Sequence, residues 1–179
     1  MSATPARALL EPPTMARAAS FLAAVARSRG LHGRWTSPPA SREQYRAFVV
    51  RVRKPNHVSR LVCTEHGELA GVITISEIVK GSFCSGYLGY YALVPHAGRG
   101  YMRAGLGAMI RLAFKEHGLH RLEANIQPDN RRSIELVRGL GFAREGFSPR
   151  YLKIRGRWRD HERWALTLED WKASARSGT

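Results

Sequence analysis

Between Leu93 and Arg103 the chain reads Leu-Val-Pro-His-Ala-Gly-Arg-Gly-Tyr-Met-Arg, an apolar run that enters Gly98-Arg99-Gly100 and then a helix-forming stretch. A strand that feeds a glycine turn and a helix start suits the binding of phosphate oxygens. Glycine lets the backbone approach closely, several N–H groups point one way, and the helix N-terminus adds partial positive charge. Arg99 and Arg103 would add full charges to that grip. The loop is not a Walker-type P-loop, because no Gly-Lys-Ser/Thr follows the glycines. Nor does it fit the dinucleotide fingerprint, since its sixth position is Arg103 and the neighbouring strands lack a repeated βαβ rhythm. On spacing alone, an ordinary helix-entry turn and a pyrophosphate grip both remain.

Fewer residues suggest themselves for bond-making. Two cysteines, Cys63 and Cys84, make neither a disulfide framework nor a metal cluster, and the reading predicts no metal. Cys84 lies in a predicted hairpin turn without an adjacent base, which argues for a structural thiol. Ser133 and Asn130 stand at the start of a predicted short helix, where each can either bond the helix backbone or face a ligand held by the glycine loop. Glu77 is the best-placed carboxylate for a general base, with Glu123 behind it; a solvated surface glutamate is the alternative for both. Trp35, Tyr151 and Trp158 can line an acceptor groove or brace a sheet.

The elements that must position these residues follow from periodicity. Ala8–Leu10 reads as a short edge strand ended by Pro12-Pro13. Thr14 would cap a helix to about Arg29, with Ala18, Phe21, Leu22 and Val25 at helical spacing and Gly30 as its stop. Residues 31–39 read as a loop, and Ser41 with Gln44 as a capping box opening a helix to about Val52. Three strand-like runs, Val58–Thr64, Leu69–Val79 and Tyr87–Val94, sit at hairpin spacing and predict an antiparallel meander. After the glycine loop comes a helix over about Met102–His117, with Leu106, Met109, Ile110, Ala113 and Phe114 as its buried stripe and Gly118 beyond its end. A strand over Leu119–Ile126, a short helix from about Pro128 to Arg138, strands over Phe142–Phe147 and Tyr151–Ile154, and a last strand over Trp158–Leu168 complete the chain. A terminal turn at Leu168–Trp171 and a polar tail, about 172–179, follow. The expectation is one domain over residues 1–179.

With 44% apolar and 24% charged residues, wholesale disorder is excluded, and no apolar run approaches membrane-spanning length. The opening residues lack the charged and apolar regions of a secretory leader, so the expected location is a reducing cytoplasm, with no membrane partner. The net charge of +15 favours acidic partners such as RNA or a ribosome. Five of the 29 basic residues are lysine and the other 24 arginine, a skew that GC-rich coding also produces, so charge alone does not assign an RNA partner.

The residues quoted above carry a resemblance. Tyr87–Met102, Glu123–Ser133, Gly139–Gly146, Tyr151–His161 and Ala165–Trp171 resemble the GNAT acetyltransferases, and within them the RimJ branch of ribosomal-protein alanine N-acetyltransferases. The likeness is specific over residues 69–171; further upstream, Leu31-His-x-x-Trp35-x-x-Pro38 is similar to that branch's substrate-side loop. It implies an α/β (α+β) GNAT fold, a central, mostly antiparallel mixed sheet flanked by helices. It also implies acetyl-CoA as donor and a protein N-terminal amine, of alanine-like kind on a ribosomal protein, as acceptor. Ala97, Gly98, Arg99, Gly100, Tyr101, Met102 and Arg103 would wrap the pyrophosphate, and Leu93 and Val94 would pair with pantetheine and supply an oxyanion donor. Ser133 would lie near the sulfur, and Asn130 would be either a cap or a CoA contact. Ala97 and Met102 depart from the family pattern, which has Arg or Gln and Gly or Ala there. Val137 replaces the tyrosine that many members use to protonate the thiolate, leaving Ser133 as substitute, and no glutamate stands on the strand before the loop. The missing base favours an α-amine, about 14% neutral at pH 7, over a lysine, about 0.04% neutral. A small-amine or antibiotic acetyltransferase, and a ribosome-associated assembly factor with a vestigial acetyl-CoA site, are the alternatives.

Overall fold

Strand-forming and helix-forming segments alternate along the chain so that one sheet is buried on both faces. The structure, a computed structural model, describes residues 6–177. Its strands are β1 (Leu9–Glu11), β2 (Val58–Cys63), β3 (Leu69–Val79), β4 (Ser85–Ala92), β5 (Arg121–Ile126), β6 (Ala143–Ile154) and β7 (Arg157–Thr167). They form one seven-stranded sheet in the order β1-β2-β3-β4-β5-β7-β6, and only β4 and β5 run parallel. The helices are α1 (Ala18–Arg27), α2 (Arg29–His32), α3 (Arg42–Arg51), α4 (Tyr101–Lys115), α5 (Arg131–Arg138) and α6 (Leu168–Ser177). The mixed, mostly antiparallel sheet flanked by helices is the architecture the sequence implies.

Alternation along β2 explains the two-sided core. Val58 and Val62 join the cluster under α4 and α5, whereas Leu61 and Cys63 join Phe21, Tyr45 and Phe48 under α1 and α3. The α4 stripe of Leu106, Met109, Ile110, Ala113 and Phe114 is buried as its spacing predicts. Each of these larger side chains contributes about 1.5–3 kcal/mol. Close approach of α4 to the sheet needs small residues beneath it: a Cβ on Gly71 would collide with the Met102 sulfur, and one on Gly105 would press on Val62.

Several expectations need correction. Thr14 makes no side-chain cap; a 3-10 turn over Met15–Arg17 leads into α1. Gly30 does not stop the helix but lies within α2, whose end is Gly33 at φ +43°. Ser41 caps α3 as expected, accepting from the Gln44 N–H at 3.2 Å, while the Gln44 side chain accepts from the Ala40 N–H at 2.8 Å. The two strands expected between Phe142 and Ile154 are one strand with register shifts, and β4 ends at Ala92 because the chain turns at once into the glycine loop. The terminal turn is a helix. Thr167 accepts the Asp170 N–H at 3.2 Å, a cap the sequence reading passed over, and Trp171 packs 5.5 Å from the Phe114 ring centroid.

What positions the site is a gap in the sheet. β4 and β5 pair only over Ser85–Tyr87 and Arg121–Glu123. Beyond Tyr87, β4 keeps β3 on one side, while β5 stays with β7. Leu93 donates its N–H to Ala70 at 2.8 Å, so by antiparallel alternation Tyr91 and Gly89 also turn their peptide groups toward β3. The peptide groups of Ala92, Tyr90 and Leu88 therefore face the gap.

Candidate active site

The glycine loop lies at the wide end of this gap. Gly98 and Gly100 take φ of +79° and +86°, which a side chain would strain. Gly100 is the N-cap of α4 and carries no capping side chain. The first N–H bonded within the helix is that of Ala104, to the Gly100 carbonyl at 3.1 Å. The amides of Tyr101, Met102 and Arg103 thus have no helical acceptor and point out of the helix start. An open set of parallel donors at a helix N-terminus fits phosphate oxygens. Ala97 is half-buried beside it, and Arg99 is exposed on the loop.

Side chains around the loop do other work than expected. Met102 lies over Gly71 and packs against the core, so only its backbone faces the loop. Arg103 reaches the Gly139 carbonyl at 2.7 Å, at the C-terminal end of α5, and ties the two helices together. Tyr101 meets the buried His96 edge-on at 5.5 Å, and His96 in turn faces Glu68 at 3.4 Å.

The expected donors at the strand end are already engaged. Leu93 is fully buried with its N–H on Ala70, and the Val94 N–H donates to Ser28 Oγ at 3.0 Å. Neither is open to a ligand. The amides of Ala92 and Tyr90, earlier on the same strand, face the gap instead, outside the β4–β5 pairing.

Two faces of the gap carry different chemistry. Toward α5, Tyr90 sends its hydroxyl to Ser133, 2.7 Å from Oγ and 3.2 Å from the carbonyl oxygen. Asn130 is the cap of α5, accepting the Ser133 N–H at 3.4 Å. Burial pushes the Tyr90 phenol up to about 12, against the opposing effect of its Ser133 bond, so the phenol stays protonated and is a donor. Toward α1 and α3, Tyr91 stands edge-on to His32 at 5.2 Å. The same face carries Tyr87, whose phenol is raised first by burial and then by the Glu123 carboxylate, with Tyr151 next to it. Its floor includes Asn125, whose Oδ1 is sealed from solvent without a partner among the described residues.

This second face is walled by the loop after α2. Arg34 binds Asp129 at 2.9 Å and lies 4.6 Å over the Trp35 ring, and Arg155 at the β6–β7 tip donates to Ser37 at 3.3 Å. Trp35 thus stands in the loop beneath Arg34, and Tyr151 lies on the hairpin beside Tyr87 and His161. Trp158 stands 60% exposed near the tip of the hairpin, opposite Lys153. Glu77 is not brought in. It is exposed in a β3 bulge at φ +49°, four residues along the strand from Ile73, the partner of Tyr90, about 13 Å away. Glu123 binds Arg121, as does Glu145. Sequence reasoning missed Tyr90 and His32, because only the sheet register shows which of two adjacent tyrosines faces which helix.

A family model described as an acetyltransferase (GNAT) domain matches residues 7–143. The chain is 44% identical over 104 residues to the [ribosomal protein uS5]-alanine N-acetyltransferase of Escherichia coli (strain K12), covering 58% of this chain and 54% of that protein. The match thus spans about half the length of that curated relative. Among solved structures, Mycobacterium smegmatis RimJ in complex with CoA-disulfide superposes with a TM-score of 0.82 at 25% identity, over 98% of this chain and 93% of that one. The ribosomal-protein-S5-alanine acetyltransferase of Vibrio fischeri shares the fold at a TM-score of 0.82 and 24% identity, over 96% of this chain and 98% of that one.

Proposed function

The chain belongs to the GNAT acetyltransferase family, and from that premise we propose that it moves an acetyl group from acetyl-CoA to the N-terminal α-amine of a ribosomal protein with an alanine-like first residue. The observation that carries this reading is the coincidence of two open backbone edges, the uncapped start of α4 and the gap-facing side of β4. The first suits a pyrophosphate and the second an extended pantetheine arm, which adds to β4 as an extra strand would. The amine then attacks the thioester carbonyl directly, with a gap-facing amide of β4 stabilising the oxyanion and Ser133 passing a proton to the departing sulfur. Likeness to the uS5-alanine acetyltransferase supports the acceptor class.

Release of CoA, followed with tetrapeptides that differ at residue one and with free lysine and an aminoglycoside as controls, tests the reading. Turnover greatest with small first residues is expected. Transfer confined to lysine or the aminoglycoside would replace it with a small-amine activity.

The proposed acceptor class supports a cytoplasmic location, and among the described residues no helix is long and apolar enough to cross a membrane. Exposed Arg150, Lys153, Arg155 and Arg157 around Trp158 support contact with ribosomal RNA through the hairpin. Affinity for an rRNA fragment should then fall steeply with salt. A flat salt response would leave the charge without an RNA role.

A further inference from the structure

We propose that His32 is the general base that takes the proton from the acceptor amine, an inference that rests on the N-terminal acetylation reading. His32 closes α2 and is 4% exposed. Its Nε2 lies 2.9 Å from the Ala92 carbonyl oxygen. A carbonyl only accepts, so Nε2 carries the hydrogen and Nδ1 is left with a free lone pair. Nδ1 has no hydrogen-bond partner among the described residues, and it is not one of the sealed, unpartnered polar atoms, so it keeps an opening to the outside.

The place matters as much as the tautomer. Ala92 is one of the residues whose peptide groups face the gap, so the imidazole is held at the gap's mouth. It sits on the Tyr91 face, whereas Ser133 sits on the Tyr90 face. Consecutive residues of one strand thereby hold a base and a proton donor on opposite sides of the position for the thioester. The loop that follows His32, tied to its carbonyl by the Trp35 N–H at 2.9 Å and to the β6–β7 tip by Arg155, lies on the same side.

The groups that act on the ring are Tyr91 from β4, edge-on at 5.2 Å, and the Arg155 cation from the β6–β7 tip. Burial first, and Arg155 after it, hold the imidazole below its ordinary value against the opposing Ala92 bond. The ring is neutral at pH 7, ready to accept.

The step balances as follows. Nδ1 takes one proton from the α-ammonium, and the freed lone pair forms the C–N bond at the thioester carbon. The C–S bond breaks, and the second nitrogen proton reaches the sulfur as Ser133 gives one proton and recovers another. The imidazolium returns its proton to solvent. A base below about 6.5 reaches an α-ammonium near 7.8 far more readily than a lysine near 10.4, so His32 also favours N-termini.

The test compares wild type with His32→Gln, whose amide can still donate to Ala92 but cannot act as a base. At pH 7, kcat on an N-terminal Ala peptide should fall about 10- to 100-fold, the low end because the acceptor is itself partly neutral. KM for acetyl-CoA and the melting temperature should hold. The defect should shrink toward pH 9, the acidic limb of wild type, below about 6.5, should disappear, and added imidazole should restore part of the rate. An unchanged kcat and acidic limb in H32Q, with wild type active on peptides, would overturn the base alone. No peptide turnover by wild type would overturn the acceptor reading and the base together.

Discussion

Ser133 and Tyr90 pose the sharpest question at the scale of single residues. A serine at a helix start has an ordinary use in capping, but here Asn130 fills that role and leaves the Ser133 hydroxyl to Tyr90. If the phenol donates to Oγ, the serine's own hydrogen is free to point into the gap. Ser133→Ala should then lower kcat about 10- to 100-fold with KM for acetyl-CoA nearly unchanged. Tyr90→Phe should cost about 1 kcal/mol in denaturant unfolding and a smaller part of kcat. Because Tyr90 acts through Ser133, the double variant should be no slower than Ser133→Ala; multiplying defects would give the two hydroxyls separate roles. Cysteine has no share in this chemistry: Cys63 is buried with its thiol pushed up to about 11 by desolvation, and Cys84 leans on the Gly118 carbonyl.

On the proposed reading, the elements around the gap divide donor from acceptor. The glycine loop and the start of α4 serve the donor side, so Gly100→Ala, which forces a methyl group onto φ +86°, should strain the turn by about 1–2 kcal/mol. Its kinetic signature should be a raised KM for acetyl-CoA with kcat less affected; the reverse pattern would move the phosphate grip away from this turn. On the acceptor side the β6–β7 hairpin is strapped to the loop after α2 by the Arg155–Ser37 bond. Arg155→Ala loses an exposed contact worth less than about 1 kcal/mol, so KM for the peptide should rise by about fivefold at most. Removing that cation also relieves His32, and the acidic limb of the rate profile should move to higher pH.

Across the whole molecule, buried histidines tie stability to pH. His32 and His161 are 4% and 3% exposed, and burial lowers both below their unfolded value of about 6.5. Between the lowered folded values and about 6.5 the unfolded chain binds more protons, so stability rises with pH through that window and levels off above it. Thermal melts should show a lower Tm at pH 5 than at pH 7.5; a Tm flat between pH 5 and 6.5 would mean that both rings protonate freely in the folded state. The two cores beneath this behaviour lie on opposite faces of one sheet, so loss of either exposes the strands that frame the gap.

Local pattern was enough for the strands, the α4 stripe, the Ser41 cap and the glycine loop, because periodicity, capping and positive φ are properties of neighbouring residues. The Thr167–Asp170 cap of α6 was equally local and was overlooked. What tertiary structure alone decided is the division of labour at the gap. Sequence cannot say that Leu93 and Val94 have their amides engaged by Ala70 and Ser28, since those partners lie 23 and 66 residues away. Nor can it tell Tyr90 from Tyr91, or lift His32 out of a run of loop residues. Those roles depend on which face of β4 each side chain takes, and that is set by register with β3 and by the parting of β4 from β5.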